Sequence, residues 1–261
     1  MSVEACAALL ERGDAARFSA VMAAPVAQRG RLFVLFAFNL EIARAPWVTR
    51  EPMIAEMRLQ WWRDVVAGAA AGDVPLAHEV AGPLQALIRE AGLPVAVLDR
   101  MVAARQWDIY REAFEGEAGF SDYLEDTSAG LYWLAARACG AEAGTERAVR
   151  AFGWAAGLAG FLRAVPELEA RGCVPLVDGQ PEAVAALARQ GLAINATARA
   201  GLRGVPGFRK MGAAALLAGW QAEALLRQVA RDGGIVARGG MGLSEFGKRG
   251  RLVWAAFSGR I

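Results

Sequence analysis

An all-α fold is predicted by three features of this 261-residue chain. Apolar residues recur three and four apart along nearly its whole length, the spacing of one helix face. Alternating runs rich in Val, Ile and Thr are lacking, and Pro and Gly stand as joints between helical stretches. With 55% hydrophobic and 21% charged residues the chain can bury a large core. No internal repeat or flexible linker divides it, so one helical domain over 1–261 is expected.

The opening MSVEACAALLERGD carries Glu4 and Glu11 among spaced apolar residues. It reads as an amphipathic helix over 2–13 rather than a signal peptide, which needs a basic start and an apolar core. A second helix, 16–24, stops at Pro25, and the apolar 29–46 follows. Pro52 suits the first turn of 51–72, while Pro75 separates that helix from 78–91. Gly92 and Pro94 divide 78–91 from 94–115, and Gly116 to Gly119 divide that from 120–139. Helices over 145–165, 180–203 and 207–231 are separated by the Gly172–Gly179 and Gly204–Gly207 stretches. The Gly-rich Arg231–Gly242 stretch lacks the strand-turn-helix setting of a phosphate loop and reads as a loop before a last helix, 244–257.

Composition narrows the function classes. A net charge of +2 with scattered Arg gives no nucleic-acid footprint, while weak attraction to an anionic membrane surface is compatible with it. Cys6, Cys139 and Cys173 have no CxxC spacing, which fits reduced thiols rather than zinc. The single histidine, His78, excludes His-based metal clusters and serine triads, and reads as a helix-start residue. The uncharged run Ala151–Leu162 is 12 residues, short of the roughly 20 that span a bilayer. A cytoplasmic protein is expected, with the inner face of the membrane as its furthest reach.

Three segments carry a family resemblance. The run from Arg31 through Phe38 to Glu41 resembles the helix bearing the first aspartate-rich motif of squalene and phytoene synthases. The run Tyr123–Leu134 is similar to that family's Tyr-initiated, small-residue helix, and Ala151–Gly172, through Gly153 and Arg163, resembles the helix of its second motif. The resemblance implies an isoprenoid synthase-like helical bundle. The strip Met57-Arg58-Leu59-Gln60-Trp61-Trp62-Arg63-Asp64 resembles one branch, bacterial proteins and mitochondrial relatives that act in assembly of respiratory complex I. Adjacent helical residues point about 100° apart, so one Trp is expected in the core and the other at a groove or surface.

The family joins two isoprenoid diphosphates, with Mg²⁺ held by carboxylates. Two Asp at i,i+4 on one helix face give a DxxxD motif two oxygen ligands pointing the same way. The resemblance places Ala43 and Trp47 at the first DxxxD and Ala164 and Leu168 at the second, with Gly157 and Gly160 at its Gln and Asn. No catalytic residue, metal ligand or cofactor is therefore expected. A register slip would bring Glu41, Glu167 or Glu169 near, and with them Mg²⁺, without restoring an i,i+4 pair. The Asp pair Asp122/Asp126 beside Glu125 reads as helix-start charge, with Ser121 or Asp122 as cap, and Asp108/Glu112 and Glu142/Glu146 read as solvated faces.

A former diphosphate site would use Arg31, Arg58 and Arg163, since guanidinium suits phosphate. Phe38, Glu41, Trp61 and Tyr123 complete the candidate ligand contacts. Gly153, Gly157 and Gly160 clear one helix face, for a packed helix or for a flat apolar ligand. Three readings follow. The favoured one is a non-catalytic binding or respiratory-complex assembly factor whose partner is a complex subunit. The others are an active head-to-head prenyltransferase and a carrier of an isoprenoid or quinone tail.

Overall fold

The structure, a computed structural model, describes residues 3–258, so the expected helix start at residue 2 lies outside it. Among the described residues the regular elements are helices, with no strand. Helices α1 (Val3–Gly13) and α2 (Ala15–Met22) are joined by Asp14, whose carboxylate accepts the Arg17 N–H at 2.9 Å and caps α2. α3 (Val26–Arg44) starts directly after Pro25 and tightens into a 3₁₀ turn, Ala45–Trp47. α4 (Pro52–Ala71) has Pro at its first turn and a left-handed Gly72 at its end.

α5 (Ala81–Ala91) begins three residues later than the expected 78. His78 is the reason: its Nδ1 accepts the N–H groups of Val80 and Ala81, each at 3.2 Å, so the imidazole serves the helix start from outside it. The expected helix over 94–115 is interrupted. α6 (Val95–Ala103) and α7 (Gln106–Tyr110) are followed by Arg111 at φ 59°, which ends α7 and turns 111–115 away. That turn lays Phe114 flat on Trp107, ring centres 4.4 Å apart.

α8 (Gly116–Leu124) starts before the expected 120 and passes through a π turn, Glu125–Ala129, into α9 (Gly130–Ala138). Ser121 and Asp122 are therefore inside a helix rather than caps, and the Ser121 hydroxyl accepts from Trp154 Nε1 at 3.1 Å. α10 (Glu146–Ala170) outruns the expected 165 through Pro166. Pro166 removes one intrahelical donor and its ring crowds the Leu162 carbonyl, a local cost that the packing of α10 offsets.

α11 (Pro181–Arg203) is continuous. The expected 207–231 is instead α12 (Phe208–Met211), α13 (Ala213–Leu216), a 3₁₀ turn at Leu217–Gly219 and α14 (Ala222–Arg231). Gly212 and Gly219 interrupt it where the chain approaches its neighbours, since a Cβ would lie 2.4 Å from the Phe208 ring and 2.7 Å from the Phe152 ring. The Gly-rich stretch is a loop, and α15 (Glu245–Ser258) follows.

The core has two apolar clusters. One gathers α1 to α6, α9 and α13 with the first part of α10 (Val149, Phe152) and the end of α11 (Ala198, Leu202); the other gathers α8, the rest of α10, the start of α11 and α14, and Ala156 on α10 packs against both. α10 is thus the spine. Its closest approach is to the π turn and α9: a Cβ on Gly153 would lie 2.8 Å from the Ala129 Cα, and one on Gly157 would lie 2.5 Å from the Ser128 Cβ. Ser128 Oγ donates to the Gly153 carbonyl at 2.9 Å across the same seam. Gly160 faces open space, with nothing within 4 Å of its Cβ position.

These three glycines make a stability test. Gly153→Ala should cost about 1–3 kcal/mol in urea unfolding, because the seam must part. Gly160→Ala should be neutral or stabilise by up to about 1 kcal/mol, because Ala favours helix and meets nothing.

Candidate functional site

α3 and α10 hold the positions that the resemblance assigns to the two aspartate motifs. Ala43 is half-buried on the last turn of α3, and the 3₁₀ turn carries the half-buried Trp47 one turn beyond it. On α10, Ala164 and Leu168 are also half-buried. The Trp47 indole lies under two guanidiniums, with the Arg171 Cζ 4.6 Å and the Arg111 Cζ 5.3 Å from its ring centre. Arg111 Nη1 donates to the Arg171 carbonyl at 2.9 Å, and Arg171 Nη2 reaches Glu167 at 2.5 Å. An indole in contact with two cations therefore ties the turn after α3 to the end of α10.

Arg111 is the one non-glycine residue with positive φ among those described. Left-handed backbone costs about 1 kcal/mol or more there, and it aims the guanidinium at Trp47. Glu167 is taken by Arg171, Glu169 is exposed, and Glu41 is half-buried with no ion pair among the described residues. No three metal-capable side chains stand together among the described residues. The groups present do not fit a Mg²⁺–diphosphate clamp: Mg²⁺ needs oxygen ligands, and the motif positions offer methyl, isobutyl and indole beside two positive charges.

Behind this lock, Trp107, Phe114, Phe120, Tyr123 and Phe161 form one aromatic group with ring centres 4.4–6.1 Å apart. Its polar edge is buried. The Tyr123 hydroxyl donates to Asp108 at 3.2 Å, and Arg105 Nη1 donates to the Tyr123 oxygen at 3.1 Å and to Asp108 at 3.4 Å. Burial pushes the Asp108 carboxyl up against the pull of Arg105, and burial with the nearby Asp108 pushes the Tyr123 phenol up. Asp108 is thus an interior counter-charge rather than part of a solvated face, and Tyr123 spends its hydroxyl on it.

The remaining candidates are dispersed. Phe38 is fully buried against Trp62 at 5.3 Å, and Trp62 is core while Trp61 is exposed and rests on His78 at 5.1 Å. Arg31 lies elsewhere on α3, tying the Ala138 carbonyl (2.9 Å) and Glu90 (2.6 Å). Arg58 and Arg163 are exposed. Gly153 and Gly157 lie under the π turn and α9, which leaves Gly160 alone as an open position. Asp126 pairs with Arg100 at 3.2 Å, Glu125 with Arg150 at 2.9 Å and Glu146 with Arg150 at 2.7 Å, so these carboxylates serve ion pairs. The three cysteines are unpaired and buried, and burial pushes the Cys6 thiol up to about 11 and the Cys139 thiol up to about 12.

The squalene/phytoene synthase family profile matches residues 10–178, which include α3, the π turn and α10. The chain belongs to the squalene/phytoene synthase family. Its fold is shared with a dehydrosqualene synthase crystallised with a ligand, at TM-score 0.78 and 14% identity over 98% of this chain and 96% of that one. It is shared also with squalene synthase HpnC from Alicyclobacillus acidocaldarius, at TM-score 0.71 and 17% identity over 88% and 93%. In sequence the chain is similar to human NADH dehydrogenase (ubiquinone) complex I, assembly factor 6, at 27% identity over 62% of this chain and 48% of that protein. The Drosophila melanogaster homologue of that factor is 28% identical over 66% and 53%. The chain spans about half the length of these relatives.

Arg105, Asp108, Arg111 and Arg171 went unassigned in the sequence as site-forming residues. Asp108 and Glu112 show as an i,i+4 pair, and only the break at Arg111 reveals that they do not share a face. Asp108→Asn should destabilise the protein by about 3–5 kcal/mol in urea unfolding, because it strands a buried guanidinium. Tyr123→Phe, which removes one hydroxyl, should cost about 1–2 kcal/mol.

Proposed function

We propose that this family member has given up Mg²⁺-dependent prenyl transfer and acts as a non-catalytic binding factor in assembly of a respiratory complex, at the inner face of the membrane. The observation that carries the reading is Trp47 in contact with both Arg111 and Arg171, where the family resemblance expects a carboxylate. Two diphosphates brought together need their charge neutralised by metal, and a metal needs anionic ligands on both helices. Ala43, Trp47, Ala164 and Leu168 supply none. The likeness to complex I assembly factors in human and fly supports the assembly role and a respiratory-complex subunit as partner. No helix among the described residues is long and apolar enough to cross a membrane, so membrane contact on this reading is peripheral.

One observation favours a second reading, an isoprenoid or quinone-tail carrier. Gly160 opens onto free space, with the half-buried Ala156 and Ala164 on the same side of α10. A carrier should show thermal stabilisation by farnesol or a short-chain quinone whether or not Mg²⁺ is present. Absence of any shift removes that reading.

Purified protein incubated with farnesyl or geranylgeranyl diphosphate and Mg²⁺ should release no diphosphate above the buffer rate, and steady turnover would overturn the proposal. Deletion of the coding sequence in the native host should lower the level of assembled complex I on native gels. Unchanged levels would remove the assembly role even where the protein proves inactive as an enzyme.

A further inference from the structure

α15 is seated on the bundle by one narrow face. Ala255 is buried and Leu252 partly so, and the helix meets the bundle chiefly at the Leu217–Gly219 turn. Grooves of about 350 and 330 Å³ run along its two sides. The helix is locally well founded, since the Ser244 hydroxyl accepts the Gly247 N–H at 3.1 Å and Lys248 pairs with Glu245 at 2.6 Å.

Its outer face carries large apolar side chains. Phe246 is 89% exposed, Val253 67%, Trp254 61% and Phe257 85%. At about 100° per residue, Phe246, Val253 and Phe257 fall within about 40° of one another and Trp254 lies about 60° to one side. Exposed Arg249 and Arg251 border that stripe, one on each edge, and Ala255 and Leu252 lie opposite it. Across one groove the exposed Val26 and Met22 of the α2–α3 corner extend the apolar area, with Arg209 beside them.

We infer that α15 is an interfacial helix that lays Phe246, Val253 and Phe257 into an anionic lipid surface, with Trp254 at the edge beside the groove, while Arg249 and Arg251 contact its headgroups. Aromatic and aliphatic side chains on one face with cations at both margins is the arrangement that sits at the boundary of acyl chains and headgroups. Charge selects the occupant. Lys248, Arg249 and Arg251 against Glu245 leave the helix positive, which an anionic leaflet attracts. In a second copy of this chain, the same arginines would face each other across a two-fold axis and repel. The inference specifies how the membrane location proposed above is reached and rests on that part of the reading alone. Loss of lipid binding leaves the complex I measurement in the deletion strain to stand or fall separately.

Co-sedimentation of the full chain with vesicles tests it. Vesicles of equal parts phosphatidylcholine and phosphatidylglycerol should bind the protein about tenfold or more tightly than phosphatidylcholine alone, with the difference shrinking at high salt. Phe246→Ser with Phe257→Ser, and separately Arg249→Glu with Arg251→Glu, should each weaken binding about tenfold or more. Both pairs should leave the melting temperature unchanged, since all four side chains are exposed. Equal binding to the two vesicle types, or binding unaffected by both double variants, would overturn the inference. So would a dimer in sedimentation velocity that disappears in the Phe246→Ser, Phe257→Ser protein, since a second copy would then be what covers the stripe.

Discussion

The close seam between α10 and the π turn governs where everything else sits. Gly153 and Gly157 let backbone meet backbone and side-chain root there, and Ser128 bonds the Gly153 carbonyl across it. A 25-residue helix at about 1.5 Å per residue is a rod of about 37 Å, so fixing its middle also fixes both ends. One end delivers Arg171 to the Trp47 turn, and the other delivers Phe152 to Tyr132 and to the Gly219 turn. The π turn adds a register shift in the helix that faces this rod, a feature often found beside functional sites. Its two carboxylates, Glu125 and Asp126, are held by Arg150 and Arg100, which anchors the shift from both neighbours.

The helical pattern of the fold was legible because burial writes itself into apolar periodicity. α1, α3, α4, α10 and α11 fall close to where spacing and flanking Pro or Gly predict them. The Trp61–Trp62 pair also divides as adjacency on a helix requires. Elsewhere tertiary contact overrode local signal. The apolar pattern of 94–115 carries on through Arg111, yet Phe114 gains more from stacking on Trp107 than from continuing the helix, and the left-handed turn has no sequence mark without glycine. In 207–231 the interruptions fall at Gly212, against the neighbouring Phe208, and at Gly219, where the reason is the approach of Phe152, a side chain that the local sequence does not reveal as a neighbour.

The site was legible in what it lacks and hidden in what it has. Missing carboxylates at Ala43, Trp47, Ala164 and Leu168 can be read by comparing one motif with another, because a spacing either holds the residue type or does not. The Arg111–Trp47–Arg171 contact joins residues 60 and more apart in sequence, and no local pattern announces it. The three glycines of α10 show the same limit: identical in sequence as small residues on one face, they divide into two that are packed and one that is open.

That contact also bears on what holds the two motif helices together where the family's carboxylates are missing. A pair of facing carboxylate motifs repels itself until metal arrives, so a synthase mouth is a strained arrangement that ligand relieves. Here attraction replaces repulsion: an indole face lies against two guanidiniums, one of which is neutralised by Glu167. Cation–π contacts of this kind are worth about 0.5–2 kcal/mol each, comparable with the backbone strain at Arg111. The turn after α3 and the end of α10 are thus joined by the chain's own side chains.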